Sequence, residues 1–233
     1  MVFVNGVFNP SLSSLKGIES SVKISTIVEN EDTDRIVATL KNENDVFACL
    51  ANAFCAEATV VEIKDNAQVP VPVQVLFVST GDTSTKSMHS PRLVWKVGKL
   101  AEVKVIEKSV GLHAGYFINA AQDWLVEENA GVVLTQVQSD PFETWNFSKT
   151  RVSLKRNARF HSSNSSTGSI LVRHHFEARL EEEGAELILN GVSVLGGKEQ
   201  VHNFVRIHHE APECVSHQHF KNVINDDGRS SFD

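Results

Sequence analysis

Histidine is the residue type whose placement could carry chemistry in this chain. Eight of its ten histidines fall after residue 160: His161, His174, His175, His202, His208, His209, His217 and His219. Imidazole and thiolate are metal ligands, and imidazole also moves protons near neutral pH. His217 and His219 are two apart, so on a strand they share a side, and Cys214 is close by. Two ligands on one strand make only half a site, because metal-ligand spacing usually includes a turn. The weight therefore falls on polar ladders and surface imidazoles, and no metal ligand is assigned. Gly196-Gly-Lys198 runs on into Glu199-Gln200, lacking the earlier glycine spacing and the Ser/Thr of a phosphate loop. There is no Gly-x-Ser-x-Gly elbow. Glu181-Glu-Glu183 reads as a solvated turn, and nothing specifies a paired acid and base. No catalytic and no cofactor-binding residue is assigned either, and the reading is of a protein that is not an enzyme.

The elements that would hold these residues follow from a repeat. An apolar-x-apolar pair, three residues, a small residue and a second apolar pair recur along the chain. Copies are Val61, Ile63, Ala67, Val69, Val71; then Trp95, Val97, Ala101, Val103, Val105; then Trp124, Val126, Ala130, Val132, Leu134. A fourth, Val152, Leu154, Ala158, Phe160, gives up its last apolar place to Ser162. A fifth, Ala178, Leu180, Ala185, Leu187, Leu189, has one extra residue in its bend, and Pro212 deforms a sixth, Val205, Ile207, Ala211, Val215. The small residues are separated by 34, 29, 28, 27 and 26 positions. A period of this length marks a solenoid or array. Alternation with period two puts one side of each strand into a core, and the small residue marks a bend with no room beneath it. An antiparallel sandwich also alternates, but it has no reason to repeat at coil length. The fold expected is an all-β solenoid with Ala101, Ala130, Ala158, Ala185 and Ala211 stacked at one bend.

The N-terminal part reads differently. Phe3 and Phe8 flank Asn5-Gly6, a two-residue hairpin turn. Residues 10–41 read as a polar loop carrying the acidic run from Glu29 to Asp34. From 44 to 58, Val46, Phe47, Leu50, Ala51, Phe54 and Ala58 fall at helical spacing, with Asn44 or Asp45 placed to cap the start. Cys49 and Cys55 lie on that helix, six apart, and read as packing residues. The partition expected is a hairpin, loop and capping helix at 1–58 and a coil domain at 59–233.

The net charge of −7 argues against a general nucleic-acid binder. No apolar run approaches the roughly 18 residues of a membrane helix, so no membrane insertion is expected. The start, Met1-Val-Phe-Val-Asn-Gly6, reads as neither a signal nor a transit peptide. Three scattered cysteines suit a reducing compartment better than a disulfide scaffold or a paired-cysteine zinc site.

Four runs in the last third carry a resemblance: Gly184-Ala-Glu-Leu-Ile-Leu-Asn-Gly-Val192, Val201-His-Asn-Phe-Val-Arg-Ile-His-His209, Ala211-Pro-Glu-Cys-Val-Ser-His-Gln-His-Phe-Lys221 and Asp227-Gly-Arg-Ser-Ser-Phe-Asp233. They resemble the core domain shared by SufB and SufD, scaffold subunits of the Suf iron–sulfur cluster assembly system. The opening Val2-Phe-Val-Asn-Gly6 with Pro10-Ser-Leu-Ser13, the helix at 44–58 and the strand Pro72-Val-Gln-Val-Leu-Phe77 look like the SufD branch. The resemblance implies a right-handed parallel β-helix with a small N-terminal α/β cap. It also implies a scaffold role, in which the chain pairs with a SufB-like protein and docks a SufC-like ATPase. The nascent cluster would belong to the full complex, with no cofactor held stably by this chain, in the cytoplasm or, in a photosynthetic eukaryote, the plastid stroma.

Relative to that family the chain looks truncated at both ends and stops in a strand. The histidine-bearing stretch near the SufB interface is not matched, so no functional residue is carried over. Cys214 matches a place where family members also have cysteine, but not the sulfur-accepting cysteine of SufB. A last strand at Arg229–Phe232 leads to the expectation of self-association, a homodimer included, or of dependence on a SufB-like partner. The other reading is a β-helix polysaccharide-active enzyme or carbohydrate-binding module. Such sites need carboxylates or aromatics exposed along one face, whereas Trp95 and Trp124 fall on inward positions.

Overall fold

The computed structural model describes residues 1–26, 43–81 and 86–233. Valine-rich alternation yields short strands at the start: β1 (Val2–Val4), β2 (Val7–Phe8) and β3 (Val22–Thr26). After helix α1 (Val46–Phe54) come β4 (Ala58–Ile63), β5 (Val73–Ser79), β6 (Ser87–His89) and β7 (Arg92–Val97). Longer strands then alternate between two sheets: β8 (Glu102–Gly111), β9 (Tyr116–Val126), β10 (Gly131–Asp140), β11 (Trp145–Leu154) and β12 (Arg159–Gly168). The series ends with β13 (Leu171–Leu180), β14 (Glu186–Leu195), β15 (Gln200–His209), β16 (Val215–Ile224) and β17 (Arg229–Phe232).

One sheet runs β16-β14-β12-β10-β8-β5-β1-β2 and the other β17-β15-β13-β11-β9-β7-β4-β3. Consecutive coil strands thus go to opposite sheets and pair in parallel with strands one coil away. This is the expected parallel β-helix, and the parallel pairing excludes the antiparallel sandwich. Among the described residues only β1 with β2 and β3 with β4 pair antiparallel, in the N-terminal cap.

The bends explain the small residues. Asn66, Leu100, Asn129, Asn157 and Glu213 have φ between 53° and 61°, and Gly184 has φ 73°. Asparagine and glycine accept this left-handed conformation most readily. A Cβ on Gly184 would also come within 2.3 Å of Asn157 Oδ1 in the coil below. Directly after these residues come Ala67, Ala101, Ala130, Ala158 and Ala185; the last four are fully buried. Inside the stack, each inward aliphatic contributes roughly 1.5–3 kcal/mol on full burial.

Two repeat assignments are corrected. Glu186 pairs with Val215, so the residue stacked on Ala185 is Cys214, not Ala211. Strand β15 continues to His209, which moves the bend to 210–214 and leaves Ala211 half-buried outside the column. Val71 is 52 % exposed rather than inward. Gln68 bridges Glu102 and Val73 pairs with Val105, so the segment between them is two residues longer than its partner and loops outward. Val73 and Val75 take the inward places.

At the N-terminus the hairpin forms with Phe3 opposite Phe8 and positive φ at Asn5 and Gly6. The polar loop expected over 10–41 contains a short 3-10 turn at Pro10–Leu12 and strand β3, which the alternation of Val22 and Ile24 could have revealed. The acidic run from Glu29 to Asp34 lies outside the described residues. Helix α1 is shorter than the expected 44–58, because the β-branched run after Ala58 enters β4. Asp45 caps it, its side chain accepting from the Ala48 amide at 2.9 Å. The helix lies on the flank of β9 and β11, and among the described residues the hairpin and β3 sit at the first-coil edges of the two sheets. Cys49 is exposed and Cys55 half-buried, so Cys49 is not the packing residue expected.

Candidate functional site

Alternation continues past the apolar repeat into a second, polar half of the interior. On β10 the inward series is Val132, Leu134, Gln136, Gln138 and Asp140. Facing it from the other sheet, β11 contributes Asn146, Ser148 and Thr150, and beside it in the same sheet β12 contributes Ser162, Asn164 and Ser166. The helix interior is therefore split lengthwise, with aliphatics and indoles near the alanine bend and amides, hydroxyls and carboxylates near the other.

The polar groups are bonded to one another. Glu107 Oε2 accepts from Gln122 Nε2 and Gln136 Nε2, each at 2.9 Å. Asp140 Oδ2 accepts from Gln138 Nε2 at 2.9 Å and Asn146 Nδ2 at 2.7 Å, while the Tyr116 hydroxyl donates to Oδ1. Burial and then the Asp140 carboxylate push the Tyr116 hydroxyl far up. His174 Nδ1 is 2.9 Å from Ser148 Oγ and its Nε2 is 2.9 Å from Ser166 Oγ. Burial lowers its pKa to about 4, so the ring is neutral at physiological pH.

A second cluster lies on the outer face of the sheet containing β9, β11 and β13. Parallel register places Arg92, Lys149 and His175 in one column and Asp123, Arg151 and Glu177 in the next. Arg92 pairs with Asp123, whose other oxygen accepts from Arg151 Nε at 2.5 Å. Burial would raise the Asp123 carboxyl, but the Arg92 and Arg151 charges hold it low. Lys149 Nζ donates to Glu177 at 2.8 Å and lies 3.1 Å from His175.

The segment leading into α1 closes this cluster. Glu43 accepts from Arg151 at 2.6 Å, and Asp45 binds Arg173 and, at 2.7 Å, His175. Burial acts to raise the Asp45 carboxyl; the bonds from His175, Arg173 and the Ala48 amide overcome it and hold the group well below the usual carboxylate range. Phe47 packs edge-on against Phe147 at 4.7 Å, under the Arg173 guanidinium. Four cations (Arg92, Lys149, Arg151, Arg173) meet four anions (Glu43, Asp45, Asp123, Glu177), a balance that makes the cluster a clamp for the helix rather than a ligand cradle.

Residues 77–233 match the SUF system FeS cluster assembly, SufBD core domain. That span starts inside β5 and takes in every later coil. The chain belongs to the SufBD core family. An iron–sulfur cluster assembly SufBD family protein of Synechocystis sp. is 23 % identical over 248 residues. The iron–sulfur cluster assembly protein SufD of Escherichia coli K12 is 24 % identical over 238 residues. Each comparison covers 100 % of this chain and 54 % of the relative, so the chain spans about half the length of the curated relatives it matches.

Within this SufBD core the late histidines do not converge. His217 and His219 share a face of β16 as expected, but both are exposed. Cys214 lies in the adjoining bend with Sγ 3.3 Å from the Glu182 carbonyl. His161 pairs with Glu186 at 2.6 Å and His202 with Ser231 at 2.7 Å. His174 and His175, adjacent in sequence, enter the interior and the outer clamp respectively. Among the described residues, no group of three His, Cys, Asp or Glu side chains is arranged to hold a metal. Glu181, Glu182 and Glu183 form the expected turn, paired with Lys155 and Arg156 of the preceding coil. No helix among the described residues is long and apolar enough to cross a membrane.

The polar interior and the clamp were the features that residue-type motifs missed. The first had a signal: Gln136, Gln138 and Asp140 continue the period-two series begun by Val132 and Leu134. The second had none, since it depends on which residues of different coils become neighbours.

Proposed function

We propose that this chain is a SufD-like, non-enzymatic scaffold subunit of an iron–sulfur cluster assembly complex, pairing with a SufB-like protein and docking a SufC-like ATPase. The observation that carries the reading is that the SufBD core match runs from β5 through the last coil, so the regular stack is the family domain. Relatives named for iron–sulfur cluster assembly align along the whole chain.

The fold suits a scaffold on physical grounds. Each coil is fixed to its neighbours by ladder hydrogen bonds and by a shared interior, so the body presents flat, rigid faces. On the sheet containing β14 and β16, Val192, Val194 and Val223 are 42 %, 52 % and 60 % exposed, with Val194 paired to Val223. Apolar side chains grouped on a flat surface favour protein contact. The nascent cluster is then cargo of the whole assembly, in the cytoplasm, and this chain holds no cofactor of its own.

Co-expression with tagged SufB-like and SufC-like proteins tests the proposal. Recovery of this chain on the tag through a salt wash is expected. Its quantitative loss to the flow-through, with the tagged proteins folded, would overturn the proposal.

A further inference from the structure

In the polar half of the interior, three buried acceptor oxygens have no donor among the described residues: Glu107 Oε1, Gln122 Oε1 and Gln138 Oε1. Their residues are only 4 %, 3 % and 4 % exposed and line one cavity of about 40 Å³. The amides cannot simply turn over. Gln122 Nε2 donates to Glu107 and Gln138 Nε2 to Asp140, so a flip would set oxygen against carboxylate oxygen. The carbonyl oxygens are therefore the ends left without a partner, on side chains that line the cavity.

Neutral donors are one answer, but the site also contains a buried carboxylate without a counter-charge. Burial pushes the Glu107 carboxyl up, opposed only by hydrogen bonds from Gln122 and Gln136, with no cation contributing. Of the other titratable residues lining the cavity, His174 is neutral and Lys108 is exposed to solvent. An unpaired buried charge is costly. An all-oxygen donor set suits a hard cation, and a single carboxylate balances one positive charge but not two. The volume exceeds the roughly 10–15 Å³ needed for one water-sized occupant.

We propose that this cavity binds one hard monovalent cation, sodium or potassium, through Glu107 Oε1 and the carbonyl oxygens of Gln122 and Gln138. The ion would tie β8, β9 and β10, strands of both sheets, from within. The inference does not depend on the partners proposed above.

The test uses the full chain. Melting temperatures are compared in potassium, sodium and choline chloride at equal ionic strength. A saturable rise with potassium or sodium over choline is expected, and it should vanish in Glu107→Gln. Crystals of the unaltered protein in rubidium chloride provide a readout that does not require the variant to fold. An anomalous peak bounded by the three oxygens is expected. Equal melting in all three salts, or a cavity holding only water in the rubidium crystals, would overturn the proposal in favour of a protonated, hydrated Glu107.

Discussion

Trp95 and Trp124, one coil apart on β7 and β9, stack face to face with centroids 4.5 Å apart and planes within 1°. Parallel register puts them directly opposite, and the inter-strand spacing of about 4.8 Å suits stacked rings. Phe160 closes on Trp124 edge-on at 5.4 Å. Removing one ring leaves a cavity that the rigid coils above and below cannot fill. Trp124→Ala should destabilise by about 3–5 kcal/mol, read from denaturant midpoints, and should abolish the near-ultraviolet signal of the coupled indoles. A loss below ~1 kcal/mol would mean that the coils relax far more readily than this packing allows.

The alanine column predicts a contrast between two similar substitutions. Ala130, fully buried between Ala101 and Ala158, should not accept leucine, and Ala130→Leu should cost on the order of 1–3 kcal/mol through overpacking. Ala211→Leu, outside the column, should leave the denaturation midpoint nearly unchanged. Equal effects would show that the bend is not tight.

The distance between those two alanines also shows what a sequence can reveal. The coil repeat, strand alternation and the inward indoles were legible because each belongs to a local pattern repeated along the chain. Ala211 was misplaced because the repeat was read on residue type, and the last bend uses Cys214 where an alanine lay three residues away. Val71 failed for a similar reason: register is set by pairing with Val105, not by the apolar pattern alone. The clamp of Glu43 and Asp45 on Arg151 and Arg173 joins residues more than a hundred positions apart, a separation that no local pattern encodes.

Acid stability should fall in two windows. His174 titrates near 6.5 when unfolded and near 4 when folded. The unfolded chain therefore binds the proton first, and stability drops as pH falls from about 6.5 towards 4, by on the order of 3 kcal/mol. His174→Gln should flatten that window. Asp45, held low in the folded state, stabilises above its unfolded value near 3.9 and loses that contribution as pH falls through its folded value. Chemical denaturation at successive pH values resolves the two. A His174→Gln profile as steep as the parent between pH 6.5 and 4 would contradict the assignment.

The chain purified without an affinity tag should carry no stoichiometric iron or zinc. Elemental analysis showing about one metal per chain, lost in His217→Ala, would restore a metal role for the late histidines.

The most direct test of the scaffold account is native mass spectrometry of this chain mixed with a SufB-like protein and a SufC-like ATPase. The account predicts a dominant species containing this chain and the SufB-like protein, gaining mass when the ATPase is added. It also predicts a weaker species when Val192 and Val194 are both changed to lysine. Spectra showing only free chain or a homodimer, with no mixed mass in the presence of folded partners, would contradict it.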